Sequence, residues 1–116
     1  MARPATPRRG DVWLVALDPT LGHEIQKTRP AVVVTNDIYN QANWVLLVLP
    51  LTSHAHAEYD QVLIQPPEAG LKKASVTLPD QLRAVDRQRL VKRLGRLKAD
   101  TMQQVDRTLK IVLDLH

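Results

Sequence analysis

The sequence predicts a mainly β protein, a compact barrel-like sheet with one C-terminal α-helix packed on it. Three observations predict it. Short apolar or alternating runs recur between Val12 and Leu94, each cut off by turn residues or proline. Sustained helical spacing appears only at the end, where Met102, Val105, Leu109 and Val112 recur with Gln103, Gln104, Asp106 and Lys110 between them. The chain has 116 residues, enough for one core and too few for two. Strands first and a helix last suit a sheet that curls and buries one helix face.

The elements follow in order within a single domain, residues 1–116. Residues 1–8, with Arg3, Pro4, Pro7 and Arg8 and no apolar period, read as a flexible tail. Gly10-Asp11 opens a strand over Val12 to Leu17. Asp18-Pro19-Thr20, followed by Gly22, signals a turn, and Leu21 to Thr28 reads as a loop. Valine-rich Ala31 to Thr35 is strand two. Asn36-Asp37 can start a helical turn through Asn40, and Trp44 to Leu49 is strand three, ended by Pro50. Thr52 to Tyr59 reads as a polar loop carrying His54 and His56.

Gln61 to Ile64 is a short strand that Pro66-Pro67 cannot continue. Ser75 to Leu78 alternates as a strand exposed on one face would, and Pro79 stops it. Asp86 to Arg89 reads as a helical turn, followed by a basic strand around Val91 to Leu94. Asp100 and Gln103 have the spacing of a capping box for the last helix. Trp13 is expected in the core or a dimer interface, and Trp44 in the core.

Composition narrows the chemistry. With no cysteine, neither disulfides nor thiolate metal sites are open to this chain. Nothing resembles a signal peptide, and Val45 to Leu49, the longest apolar run, is too short to span a bilayer, so a soluble cytoplasmic protein is expected. The formal charge is +4, from 16 Lys and Arg against 12 Asp and Glu. Arg87, Arg89, Lys92, Arg93, Arg96 and Lys98 crowd one stretch, and Arg3, Arg8 and Arg9 the start. A polyanionic partner and a merely solvated basic face explain that surplus equally well.

The most informative feature is a pair of segments. Lys27-Thr28-Arg29-Pro30 runs into one apolar strand, and Pro50-Leu51-Thr52-Ser53 runs out of the next. Antiparallel pairing would set Arg29 beside Thr52 and Ser53, a guanidinium fork next to two hydroxyls and a workable phosphate grip. Bland readings compete: Arg29 paired with Glu24 or Asp80, and hydroxyls doing ordinary turn chemistry.

Other catalytic parts are missing. His23-Glu24 and the His54/His56 pair lack a third ligand at metal-binding spacing, so no metal and no cofactor are expected. Ser53 has no nucleophile elbow, and no glycine-rich phosphate loop exists. RNA cleavage by the substrate's own 2′-hydroxyl needs only alignment and charge stabilisation, which an arginine and a hydroxyl can supply.

Arg9-Gly10-Asp11-Val12-Trp13, Asp18-Pro19-Thr20 with Gly22-His23-Glu24, and Thr28-Arg29-Pro30-Ala31-Val32-Val33 closely resemble the opening of the MazF/PemK/Kid toxins. Pro50-Leu51-Thr52-Ser53, Asp80-Gln81, Ala84-Val85-Asp86 and Arg89-Leu90 are similar to their later segments, so the likeness spans roughly residues 8 to 115. The resemblance implies an SH3-like barrel of the CcdB/MazF type, a homodimer, and the toxin of a type II toxin–antitoxin pair. It implies metal-independent, sequence-selective cleavage of single-stranded RNA, usually mRNA, to 2′,3′-cyclic phosphate and 5′-hydroxyl ends. Its partner would be an acidic antitoxin.

Arg29 and Thr52 match the family's catalytic pair, and His23 and Asp80 match supporting or acid–base positions of the Kid branch. Where that branch has an arginine two residues before its aspartate this chain has Leu78, which leaves the proton acceptor open. Ser53, Glu24, Lys27 and Thr28 are the expected substrate contacts. Arginine stays protonated, so Arg29 suits an electrostatic clamp, and Asp80 or His23 suits the proton acceptor. Two alternatives stand beside this reading: a CcdB-like gyrase poison that cuts no RNA, and a barrel that binds nucleic acid without cutting it.

Overall fold

The computed structural model describes residues 6–17 and 27–116. Within them lie β1 (Asp11–Leu17), β2 (Lys27–Val33), α1 (Asp37–Ala42), β3 (Val45–Ser53), β4 (Leu63–Ile64), β5 (Ser75–Thr77), β6 (Arg83–Asp86), β7 (Leu90–Arg96) and α2 (Ala99–Val112). The strands form one curled sheet in the order β4-β5-β3-β2-β1-β7, with β6 also paired to β3. Every pairing is antiparallel, as hairpin-length connections require. This is the mainly β architecture with a C-terminal helix that the apolar spacing predicts.

β3 organises the sheet. One edge meets β2 over Val48 to Pro50. The other meets β6 over Val45 to Val48 and β5 over Leu51 to Ser53. β5 and β6 thus behave as one strand interrupted by a 3₁₀ turn, Pro79–Gln81.

That interruption corrects the expected end of strand three at Pro50. Proline lacks the N–H that would bond the Leu78 carbonyl across the ladder. The turn supplies another donor, since Gln81 N–H bonds the Leu78 carbonyl at 2.9 Å while Leu78 N–H bonds the Pro50 carbonyl at 2.9 Å. The orphan is satisfied, so β3 continues through Pro50 and carries Thr52 and Ser53 within the strand. β2 likewise begins earlier than expected, placing Lys27 and Thr28 in the strand and not in a loop.

Two apolar clusters follow from strand alternation. One joins Val12, Val32, Leu49, Leu51, Val62 and Ile64 to Val105 and Leu109 of α2, with Met102 packed against it. Val112 is left more than a third exposed beyond the helix's buried stretch. The other joins Trp13, Val15, Ala31, Val33, Leu46, Val48 and Val85 on the opposite face. Trp13 is therefore a core residue.

Asn36 caps α1 by accepting from Tyr39 N–H at 2.9 Å, and Asp86 caps the 3₁₀ turn Arg87–Arg89 by accepting from Gln88 N–H. The Asp100–Gln103 capping box does not form. Lys98 is the N-cap, and its N–H donates to the Glu68 carboxylate at 3.0 Å instead. β5 is buried at all three residues, not exposed on one face, because β4 and β3 flank it. Of the expected flexible tail only residues 6–8 are described, and there Pro7 is buried and Arg8 N–H bonds Asp11 at 2.9 Å.

Trp44 corrects a core assignment. It is 71 % exposed, sitting between α1 and β3, and among the described residues only its backbone carbonyl is engaged, by Arg87 N–H at 2.7 Å. Trp44→Ala should shift unfolding stability by no more than about 0.5 kcal/mol in urea titration, whereas a core tryptophan would cost several times that.

Candidate active site

Arg29 lies inside β2, opposite Val15 of β1. Val15, Ala31 and Val33 all belong to the second apolar cluster, so alternation puts Arg29 on that cluster's face. On β3, Leu46 and Val48 belong to the same cluster, which sets Pro50 and Thr52 on this face too. The pairs Val33–Val48 and Ala31–Pro50 define the β2–β3 register. The ladder ends at Ala31–Pro50, and Arg29 and Thr52 each lie two residues beyond it on the same face. Both are half-buried, where the apolar cluster runs out toward solvent. A guanidinium and a hydroxyl therefore share one rim of the half-barrel.

Ser53 does not join them. It pairs with Ser75 in the β3–β5 ladder, and strand alternation turns it to the opposite face. Of the two predicted hydroxyls, only Thr52 shares the face of Arg29, because β3 continues where a turn was expected. Asp80 is exposed on the Pro79–Gln81 turn, at the β3 edge away from β2 and against α2. It makes no ion pair with Arg29. Thr28 is exposed beside Arg29 on β2. Lys27 stands opposite Leu17 in the β1–β2 ladder. His23 and Glu24 lie outside the described residues.

In the basic stretch the four arginines are committed to structure, while Lys92 and Lys98 are exposed. Arg93 and Arg96 reach the buried Asp11 carboxylate at 3.4 and 3.1 Å, and Asp11 also accepts from Trp13 Nε1. Arg87 caps the end of α1 by donating to the carbonyls of Asn40 and Asn43. Arg89 donates to the Ala16 carbonyl at 3.3 Å. Arg9 ties α2 to the sheet through Asp106 and the Val34 carbonyl. Its N–H donates to Asp37 at 2.7 Å, which holds that carboxyl below the usual aspartate range. Most arginines of the charged stretch are internal braces, which the linear charge pattern could not show. Among the described residues no cluster of His, Asp and Glu could hold a metal ion.

Comparison with known proteins decides the family. The family model for PemK-like, MazF-like toxins of type II toxin–antitoxin systems matches residues 8–113. The chain belongs to this family. It is 39 % identical over 114 residues to endoribonuclease MazF9 of Mycobacterium tuberculosis, covering 93 % of this chain and 97 % of that protein. Among solved structures it is similar to MazF of Deinococcus radiodurans, with a TM-score of 0.79 at 28 % identity over 96 % of this chain and 99 % of that one. It is equally similar to a MazE–MazF complex from the same organism, with a TM-score of 0.81 at 28 % identity over 97 % and 100 % of the chains. Against this MazF-type match the gyrase-poison alternative is not favoured. The opening motif that carried the resemblance now has a physical basis: Asp11 anchors Arg93 and Arg96, and Trp13 fills the second core cluster.

Proposed function

We propose that this MazF-type toxin, an endoribonuclease, cuts single-stranded RNA by directing the substrate's own 2′-hydroxyl at the adjacent phosphorus. The observation that carries the mechanism is the placement of Arg29 and Thr52 on one face of neighbouring strands at the open rim. The 2′-oxygen forms a bond to phosphorus, the bond to the 5′-oxygen breaks, and the products are a 2′,3′-cyclic phosphate and a 5′-hydroxyl. Arg29 clamps the non-bridging oxygens as they gain charge, and Thr52 donates a hydrogen bond to the same group. Neither is a base near neutrality, so the 2′ proton leaves to a different acceptor and the departing 5′-oxygen takes a proton from a different donor, tasks for which His23 and Asp80 are the family-matched residues.

The chemistry calls for no metal. The active form is a homodimer in the cytoplasm, held in check by an acidic antitoxin segment laid along basic surface. The solved complexes of related MazF proteins with their antitoxins support that partner. No helix among the described residues is long and apolar enough to cross a membrane.

The decisive substrate is an oligoribonucleotide carrying one 2′-deoxyribose on the 5′ side of the cut. It should survive intact in chelator while the all-ribose strand is cleaved to cyclic-phosphate ends. Cutting of the deoxy-substituted strand at that position would sink the mechanism.

A further inference from the structure

The Arg29–Thr52 rim has a neighbour that the family match does not supply. His54 N–H bonds the Ala74 carbonyl at 3.0 Å, extending the β3–β5 ladder one residue past Ser53. His54 therefore returns to the face of Thr52, two residues and about 6.8 Å further along the strand. His56 N–H donates to His54 Nδ1 at 3.1 Å, and the two exposed rings meet edge-to-face with centroids 6.3 Å apart. A nitrogen that accepts a hydrogen bond carries no proton, so the neutral His54 ring bears its hydrogen on Nε2. Among the described residues nothing accepts from that Nε2. The ring presents one free polar atom, and it is a donor.

We propose that His54 is a substrate-contacting residue whose Nε2–H donates to a non-bridging oxygen of a phosphate flanking the scissile one. In this arrangement the ring's unengaged nitrogen is a donor, which suits contact with a phosphate oxygen rather than uptake of the 2′ proton. A donor one step along the strand from a phosphate clamp meets the next phosphate of an extended RNA. The inference rests on Arg29 and Thr52 holding the scissile phosphate.

The test uses steady-state cleavage of a short oligoribonucleotide by the full-length protein. His54→Ala should raise KM about tenfold with kcat within about twofold, the loss of one hydrogen bond to a charged oxygen. His54→Gln, whose amide nitrogen falls near the Nε2 position, should restore KM to within about threefold, and His54→Asn, whose amide falls near Nδ1, should not. On a substrate with a methylphosphonate at one of the two flanking linkages, the His54→Ala penalty should vanish. Failure of His54→Gln to rescue would overturn the donor role. A penalty that persists on both methylphosphonates would assign the contact to a base instead, and a fall in kcat would make His54 part of the chemistry; either refutes the proposal. Arg29→Ala measured in parallel separates the two readings, because it should lower kcat on every substrate regardless of the flanking group.

Discussion

Arg29→Ala is expected to lower kcat for RNA cleavage by at least about 10²–10³-fold, the usual cost of deleting one preorganised donor at a developing oxyanion. Arg29 is half-buried and its guanidinium makes no hydrogen bond or ion pair among the described residues, so its truncation leaves no buried partner stranded. Stability should therefore stay within about 0.5 kcal/mol of the parent, measured by urea unfolding alongside the rate. Arg29→Lys should recover little of the loss, because an ammonium lacks the planar fork that grips two phosphate oxygens. Retention of a tenth or more of kcat in Arg29→Ala would show that the clamp lies elsewhere.

The largest expected effect on folding comes from Gly95→Ala. Gly95 lies in β7, where the strand backbone packs directly on the 3₁₀ turn Glu68–Gly70. A Cβ at Gly95 would stand 2.5 Å from the Ala69 carbonyl carbon and 2.8 Å from its Cα. These neighbours are backbone, and both sides are held: β7 is laddered to β1, and buried Ala69 belongs to the main cluster. Neither side can yield by turning a side chain. The substitution should cost about 3 kcal/mol or more, seen as a fall in the urea midpoint. A cost below about 1 kcal/mol would mean the turn is free to lift off the strand. Gly70 closes the same contact from the other side, with φ of 72° and a virtual Cβ 2.1 Å from the Leu94 carbonyl oxygen.

Much of this was legible in the sequence. Valine-rich runs cut by Pro and Asp-Pro, and a 3.6-residue stripe confined to the end, gave the strands and the final helix because periodicity reports directly on which face is buried. The antiparallel pairing of β2 with β3, which puts Arg29 and Thr52 on one face, was legible for the same reason, and their catalytic role is a proposal. The failures share a cause. Pro50 reads as a stop signal unless one knows that Gln81 takes over the bond Pro50 cannot make. Trp44 reads as core unless one knows that it sits outside the ladder. The basic stretch leaves a polyanion surface and a solvated face equally open until one sees Arg87, Arg93 and Arg96 turned onto carbonyls and a buried carboxylate. Each depends on a partner distant in sequence.

The sequence by itself determined the fold class and the family, and it nominated Arg29 and Thr52, because hydrophobic periodicity and a local motif are properties of short segments. Only the tertiary structure decided which side chains share the rim. The continuation of β3 through Pro50 rests on a turn some thirty residues away. That continuation sends Ser53 to the far face and returns His54 to the near one, because successive strand residues point to opposite sides. Ser53, expected beside Arg29, stands on the other face, and His54, expected only in a polar loop, follows Thr52 on the face proposed to meet substrate.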